Sequence, residues 1–197
     1  MIEFTDIKQV YFLGIGGIGM SALARYFASR GIAVSGYDRT ATELTRTLEC
    51  EGISVHYTDD PALLPVNLNT RDSLIVYTPA VPATHQELNV LINRGFNIHK
   101  RAEVLGIICN SKRTIAVAGT HGKTSVSTIA AHILKNSAKG CAAFLGGISK
   151  NYQNNLLLDQ TGSEWIVAEA DEFDRSFLHL KPELAVITSM DADHLDI

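Results

Sequence analysis

The first stretch of the sequence that could do chemistry is a glycine-rich turn near the amino terminus. Gly14, Gly16 and Gly19 form the pattern G-x-G-x-x-G within VYFLGIGGIGMSALARYFASRG. Such a turn lets the backbone N–H groups at the start of a helix approach a diphosphate. Asp38 follows the next apolar run, where a carboxylate could accept hydrogen bonds from ribose hydroxyls. The pattern alone fits NAD or any other nucleotide diphosphate, and the glycines could also serve only a tight turn.

A second turn, AGTHGKTS at residues 118–125, has a different chemistry. Its spacing is Gly119-x-x-Gly122-Lys123-Thr124, which is shorter than the usual Walker A motif because Val117 occupies the position of the first glycine. Backbone N–H groups in such a turn can surround phosphate oxygens, while the lysine neutralises the β- and γ-phosphates. The threonine hydroxyl is a suitable Mg²⁺ ligand. This turn therefore predicts a nucleoside triphosphate site.

Two acidic clusters follow apolar runs that read as strands. The first contains Glu169, Asp171, Glu172 and Asp174, and the second contains Asp191, Asp193, His194 and Asp196. Either cluster alone could be a solvated loop. Carboxylates at the carboxyl ends of parallel strands lie where ligands bind, and their oxygens suit a hard cation. Downstream of a G-K-T turn, they favour a metal site.

Apolar runs typical of strands alternate along the chain with segments of helical periodicity. This alternation predicts which strands and helices flank the motifs. The predicted strands are 10–15, 32–37, 73–78, a short one at Ile98, and 114–118; the predicted helices are 18–29, a helix ending near 50, another ending near 94, 102–109 and 124–136. Thr40 with Glu43, and Thr84 with Glu87, have the spacing of capping boxes at two helix starts. Residues 61–72 lack periodicity and read as a loop. This alternation predicts an α/β fold with a parallel sheet covered on both faces.

The polar stretch NSKR, residues 110–113, is the predicted domain boundary. It divides the chain into a Rossmann-like parallel-sheet domain, 1–110, and part of a P-loop-type ATPase α/β domain, 111–197. With 46% hydrophobic and 19% charged residues, the 197-residue chain has the composition of a soluble globular protein. The net charge of −4 argues against a nucleic-acid partner, and no apolar stretch is long enough to span a membrane. Cys50, Cys109 and Cys141 fit neither a disulfide framework nor a zinc site, which favours the cytoplasm.

Five segments together resemble the Mur ligases of bacterial cell-wall synthesis: GIGGIGMSALA, YTPAVP, GTHGKTS, EADEFDRSFLHLKPELAVIT and DADHLD. The resemblance covers essentially the whole chain. It implies that the first turn holds a uridine diphosphate sugar rather than NAD, and that the second holds ATP. The implied partners are UDP-N-acetylmuramate, L-alanine and ATP, with Mg²⁺ as the metal. The implied reaction phosphorylates the lactyl carboxylate, and the amine of alanine then attacks the acyl phosphate.

The resemblance also implies roles for individual residues. Those matching the UDP-sugar site are Gly14, Gly16, Gly17, Ile18, Gly19, Met20, Ser21, Asp38, Thr78 and Pro79. Those matching the ATP site are Gly119, Thr120, His121, Gly122, Lys123, Thr124 and Ser125, with Lys123 and His121 as the catalytic pair. The implied metal ligands are Thr124, Glu169 and His194. His121 could equally be an ordinary turn residue.

Some features leave alternatives open. Phe173 stands where relatives commonly have serine, which puts a hydroxyl role there in doubt. The ligase that recycles murein tripeptide is a rival within the family, although SFLHLKPELAVIT runs on without the insertion that this rival tends to carry. An NAD-dependent dehydrogenase and a non-catalytic nucleotide-binding module are rivals from other classes. We also expect the chain to be an amino-terminal fragment that lacks ligase activity alone, because a domain closing over ATP would follow it.

Overall fold

The computed structural model describes residues 4–191. The chain divides into two compact units, Met1–Arg101 and Ala102–Ile197. The boundary predicted at 110/111 remains a prediction, and the helix that precedes it belongs largely to the second unit. The Asn110 side chain explains this placement, since it donates to His179 O at 2.9 Å and accepts from Lys181 N at 2.7 Å. Within the described range, no helix combines the length and apolar character needed to cross a bilayer.

The first unit is a five-stranded sheet in the order β3-β2-β1-β4-β5, with every pairing parallel. Its strands are β1 (Gln9–Leu13), β2 (Ala33–Tyr37), β3 (Ser54–His56), β4 (Ser73–Tyr77) and β5 (Ile98–Lys100); its helices are α1 (Ile18–Ser29), α2 (Glu43–Cys50) and α3 (Gln86–Asn93). The predicted strands and helices of this unit are confirmed, and β3 is an addition. The stretch predicted as a loop contains a 3-10 turn at Pro61–Leu63.

The register of this sheet brings the candidate site residues together. Leu13, the last residue of β1, pairs with Tyr37 of β2 and with Tyr77 of β4. The three strands therefore end at the same level, and the residues that follow them share one edge. All five residues of β1 are buried, as expected for the central strand of a sheet covered on both faces.

Both predicted capping boxes are wrong in detail. The cap of α2 is Thr42, whose hydroxyl accepts from Thr45 N at 3.2 Å while Thr45 Oγ1 accepts from Thr42 N at 2.9 Å. The cap of α3 is His85. The Glu87 carboxylate is instead fully buried, and it accepts from Tyr11 Oη and Asp60 N rather than from its own helix end.

The second unit contains a second five-stranded sheet, in the order β10-β6-β9-β7-β8. Its elements are α4 (Arg101–Asn110), β6 (Arg113–Ala118), α5 (Lys123–Lys135), β7 (Ala142–Ser149), β8 (Asn154–Leu157), β9 (Trp165–Glu169) and β10 (Leu184–Ile187). The wholly parallel sheet expected from the alternation is wrong at one end, because β7 and β8 form an antiparallel hairpin. A 3-10 helix, Phe173–His179, connects β9 to β10.

The strand register of the second sheet also brings candidate site residues together. Val117 of β6 pairs with Glu169 at the end of β9, and Ala118 pairs with Ile187 at the end of β10. Two backbone hydrogen bonds continue this alignment beyond the strands, from Ala170 N to Val117 O and from Thr188 N to Ala118 O. The G-K-T turn, the first acidic cluster and the segment after β10 therefore meet at one sheet edge.

Candidate nucleotide sites

A cavity of about 420 Å³ lies at the carboxyl edge of the first sheet. Its lining consists of Gly14, Gly16, Gly17, Tyr37, Asp38, Arg39, Thr40, Asp59, Thr78, Ala80, Val81, Pro82, Thr84 and His85. Five of the residues predicted for the UDP-sugar site are among them: Gly14, Gly16, Gly17, Asp38 and Thr78. The other five predicted residues, Ile18, Gly19, Met20, Ser21 and Pro79, are not in this lining.

Asp38 braces the glycine turn. One carboxylate oxygen accepts from Gly16 N at 2.7 Å, and the other accepts from Thr40 N at 3.1 Å. The Gly16 amide, which the motif assigns to a diphosphate, is thus engaged by the protein itself. The first intrahelical bond of α1 runs from Ser21 N to Gly17 O. The amides of Gly19 and Met20 in the first turn are therefore the donors that the helix geometry leaves for an anion.

The side chains of the predicted residues in α1 have packing roles. Met20 and Ser21 are buried, with at most 1% of their surface exposed. Gly19 faces Arg101, since a Cβ at this glycine would lie 2.9 Å from Arg101 Cδ. These residues can contribute backbone groups to a ligand, but their side chains support the fold.

Two polar residues in the cavity wall, Asp59 and His85, were not predicted from the sequence. The Asp59 carboxylate accepts from Gln86 N at 2.9 Å and from Glu87 N at 3.1 Å, which are the first two amides of α3. In return, Glu87 Oε1 accepts from Asp60 N at 3.2 Å. The loop after β3 and the start of α3 therefore hold each other in place. Only the fold reveals this, because the two segments are far apart in sequence.

Glu87 is the centre of a buried polar cluster beneath this wall. Its carboxylate accepts from Tyr11 Oη, lies 2.8 Å from His56 Nε2, and is fully buried. Burial and the neighbouring Glu87 carboxylate raise the pKa of Tyr11 far above its usual range, so its hydroxyl remains a donor. A buried carboxylate is tolerated only when such donors satisfy it.

In the second unit, the G-K-T turn forms the start of α5. Gly122 is the residue that precedes the helix, and its φ of +81° is a left-handed conformation that favours glycine. The first intrahelical bond runs from Val126 N to Gly122 O. The amides of Lys123, Thr124 and Ser125 therefore lie in the first turn, where a helix offers donors and positive potential to phosphates.

Lys123 is held at this turn by two oxygen acceptors. Its Nζ donates to Gly119 O at 2.7 Å and to Glu172 Oε1 at 2.8 Å. The ammonium group is thus fixed beside the turn by one carbonyl and one carboxylate. Glu172 was part of the acidic cluster seen in the sequence, but its partnership with Lys123 was not predicted.

Thr124 and Glu169, both predicted metal ligands, lie side by side. Thr124 Oγ1 donates to Glu169 Oε1 at 3.1 Å, and the other carboxylate oxygen accepts from Gly146 N at 3.0 Å. Burial raises the pKa of Glu169 above its ordinary value, while the bonds from Thr124 and Gly146 oppose this rise. No group of three or more His, Cys, Asp or Glu side chains with metal-binding geometry occurs within residues 4–191.

The remaining residues of the predicted ATP site are tied to the segment after β10. Thr120 N donates to Ser189 O at 3.1 Å, and His121 N donates to Ser189 Oγ at 3.0 Å. The His121 carbonyl accepts from the Thr188 hydroxyl. The His121 side chain is exposed, as is Ser125. His194, the third predicted metal ligand, lies outside the described residues.

Family models match both parts of the chain. Residues 9–113 match the model described as Mur ligase family, catalytic domain, and residues 117–197 match the Mur ligase middle domain. The chain belongs to the Mur ligase family. The two glycine turns therefore lie in two matched Mur ligase domains, the first turn within residues 9–113 and the second within residues 117–197.

Two similar Mur ligases are named UDP-N-acetylmuramate–L-alanine ligase. The protein from Cytophaga hutchinsonii is 53% identical over all of this chain and 43% of its own length. The protein from Porphyromonas gingivalis strain ATCC 33277 is 58% identical over 97% of this chain and 42% of its own length. The chain thus spans less than half the length of these relatives.

Solved Mur ligase structures share the architecture. The UDP-N-acetylmuramate–alanine ligase of Thermotoga maritima is 32% identical, with a TM-score of 0.84 over 95% of this chain and 43% of that one. The Neisseria UDP-N-acetylmuramate:L-alanyl-γ-D-glutamyl-meso-diaminopimelate ligase is 26% identical, with a TM-score of 0.86 over 97% of this chain and 63% of that one. Fold similarity is nearly equal for both, so it does not separate the alanine-adding enzyme from the tripeptide-adding one.

Proposed function

We propose that the chain carries the UDP-sugar site and the ATP site of an ATP-dependent ligase that joins L-alanine to the lactyl carboxylate of UDP-N-acetylmuramate. The observation that carries the proposal is the arrangement of Lys123, Thr124 and Glu169 at the start of α5. Relatives at 53–58% identity that are named for this reaction support the substrate assignment. A dehydrogenase reading would leave this second site unexplained.

The second unit fits an ATP-bound magnesium ion. Mg²⁺ usually takes only one or two protein oxygens and fills its remaining positions with water and phosphate oxygens. The Thr124 hydroxyl and the Glu169 carboxylate are such a pair, 3.1 Å apart. They would hold the ion, and the first-turn amides of α5 would hold the phosphates. Bound there, the ion supplies positive charge to the phosphate oxygens.

The residues of the chain then contribute position and charge rather than covalent chemistry. Lys123 neutralises negative charge on the transferring phosphoryl group, which is the main demand of phosphoryl transfer. Glu172 and the Gly119 carbonyl fix the ammonium group beside the turn. In the first unit, the first turn of α1 holds the diphosphate of the sugar nucleotide, and exposed Arg39 adds the cavity's positive charge. The proposal also gives a catalytic role to His121, because this residue lies within the G-K-T turn.

We further propose that the reaction takes place in the cytoplasm. Cys50, Cys109 and Cys141 are all free thiols, which fits a reducing compartment. The 197 residues alone are expected to bind nucleotide without completing ligation, because they span under half the length of the relatives that carry the named activity.

The test is a ligation assay with the full-length protein. UDP-N-acetylmuramate, ATP and Mg²⁺ are supplied with either L-alanine or the tripeptide L-alanyl-γ-D-glutamyl-meso-diaminopimelate. The proposal expects phosphate release coupled to formation of the alanine product. Preference for the tripeptide would reassign the chain within the family. Absence of both products, together with binding of NAD in the first unit, would refute the proposal.

A further inference from the structure

The G-K-T turn is held along one side by residues 188–191, which follow β10 and are called the supporting segment here. Both backbone groups of His121 are bound by it. The His121 amide donates to Ser189 Oγ at 3.0 Å, and the His121 carbonyl accepts from the Thr188 hydroxyl. The amide belongs to the peptide group before His121 and the carbonyl to the one after it. Two consecutive hydroxyl side chains therefore fix two consecutive peptide groups of the turn.

The supporting segment also holds Thr120. The Thr120 amide donates to Ser189 O at 3.1 Å, and the Thr120 hydroxyl accepts from Asp191 N at 2.9 Å. The same hydroxyl lies 3.2 Å from Asp191 O, to which it donates. These bonds continue the parallel pairing of β6 with β10 beyond the ends of both strands.

The backbone around these two residues would otherwise rotate freely. Gly119 and Gly122 flank them with φ values of +125° and +81°, a region that is easily reached only by glycine. A Cβ added to Gly119 would lie 2.8 Å from Ser189 N, so the supporting segment runs directly against the turn. Its hydrogen bonds thus select one conformation among those that the two glycines allow.

The selected conformation determines which groups are left for phosphate. The amides of Thr120 and His121 both donate to Ser189. The first-turn amides of α5 remain as the donors for an anion. If the peptide group after His121 rotated, its carbonyl oxygen would leave Thr188 and could face the anion, which it would repel. The hydroxyl of Thr188 therefore opposes the change that would most weaken a phosphate site.

We propose that Thr188 and Ser189 are positioning residues of the ATP site, which act through the backbone of His121 and keep the turn in its phosphate-binding conformation. The inference rests on the proposed function, in which this turn holds ATP, and adds the residues that set its shape. A turn that spends part of its time in another conformation binds ATP more weakly in proportion to that fraction. Saturating ATP restores the binding conformation, so KM changes and kcat does not.

The test compares variants of the full-length protein that differ only in the hydroxyl group. Thr188→Val and Ser189→Ala remove it, whereas Thr188→Ser and Ser189→Thr keep it. We expect each loss of a hydroxyl to raise KM for ATP about 3- to 10-fold and to leave kcat within about twofold, since one hydrogen bond is removed. The two conservative variants should retain the wild-type KM. Affinity for UDP should be unchanged in all four, because its proposed site is on the other sheet.

Circular dichroism and thermal melting establish that each variant is folded, and Ser189→Ala alone decides if Thr188→Val does not fold. A lower melting temperature with a wild-type KM for ATP overturns the inference, because the hydroxyl groups then serve only the fold. A lower KM in Ser189→Ala also overturns it, because Ser189 would then compete with phosphate for the His121 amide. Failure of the unaltered protein to bind ATP overturns the proposed function and this inference with it.

Discussion

Gly146 and Glu169 lie so close that any side chain at position 146 would displace the carboxylate of Glu169. The Gly146 amide donates to Glu169 Oε2 at 3.0 Å, and a Cβ on this glycine would overlap both carboxylate oxygens. Gly146 belongs to β7 and Glu169 ends β9, and the two strands are neighbours in the sheet. The backbone of β7 thus sets the position of the carboxylate that we assign to the metal.

Gly146→Ala should therefore displace Glu169 and weaken magnesium binding. We expect Mg²⁺-dependent ATP affinity to fall about 10- to 100-fold, the usual effect of disturbing a residue that orients a metal ligand. The matched control is Gly147→Ala, where a Cβ would lie 3.4 Å from Thr124 Cγ2, close to ordinary contact. Titration of both variants with ATP at several Mg²⁺ concentrations makes the comparison. An equal loss in the two variants would contradict the role given to Gly146.

Glu169→Gln should alter how stability depends on pH. Because burial raises the pKa of Glu169, the folded state takes up this proton before the unfolded state as the pH falls. The residue's contribution to the free energy of unfolding therefore increases as the pH falls toward 4.5, and is lost as the pH rises through the raised pKa. Without Mg²⁺, the glutamine variant should be at least as stable as the wild type at pH 7.

Urea unfolding at pH 5 and pH 7 in the presence of EDTA measures this effect. The amide of glutamine can donate to Thr124 Oγ1 and accept from Gly146 N, so the local bonds can survive the substitution. Glu164→Gln, at an exposed site in the same unit, is the control. A lower stability of Glu169→Gln at pH 7 would mean that the ionised carboxylate is favoured by its surroundings, against the assigned cause.

Lys123→Ala in the full-length enzyme should abolish ATP-dependent ligation and leave UDP binding nearly unchanged. The ammonium group is one of the donors directed at the phosphate turn, and the two turns belong to different sheets. A loss of at least about 100-fold in kcat is typical of removing such a group. Lys139→Ala removes an exposed lysine from the same unit and should behave as wild type. Normal turnover by Lys123→Ala would rule out the ATP role of this turn.

Tyr11→Phe should destabilise the first unit by about 1–3 kcal/mol, because it removes a donor from the fully buried Glu87 carboxylate. The contrasting variant is Tyr57→Phe. Within the described residues, the Tyr57 hydroxyl is buried without a hydrogen-bond partner, so its removal should be neutral or stabilising. Denaturant midpoints of the two variants test the contrast. Similar midpoints would show that the Tyr11 hydroxyl contributes no net stability.

The sequence predicts the regular parts of this fold well, because buried strands and amphipathic helices leave a direct periodic signal. The helix predicted from Ile18 to Ser29 has the same bounds in the structure. The β7–β8 hairpin was missed because Gly146 and Gly147 interrupt an otherwise apolar strand. Helix caps depend on one or two local hydrogen bonds, and several Thr, Ser and His residues compete for each position.

The candidate site residues also differ in how well the sequence predicts them. Lys123, Thr124 and Glu169 were expected together because a turn motif and a strand end mark them. Asp59 and His85 carry no motif, and only the strand order brings their loops to one wall. Such residues become visible when the tertiary fold shows which polar atoms are buried and what surrounds them.

The bond between Asp38 and Gly16 has a consequence for how nucleotide arrives. A glycine-rich turn without such a hydrogen bond would sample many conformations, and a ligand would have to select or order one of them. Here the Asp38 carboxylate already fixes the turn by accepting a hydrogen bond from Gly16 N. Association should then be limited by diffusion and orientation rather than by loop rearrangement, and differences in affinity among nucleotides should arise mainly from how fast each one leaves.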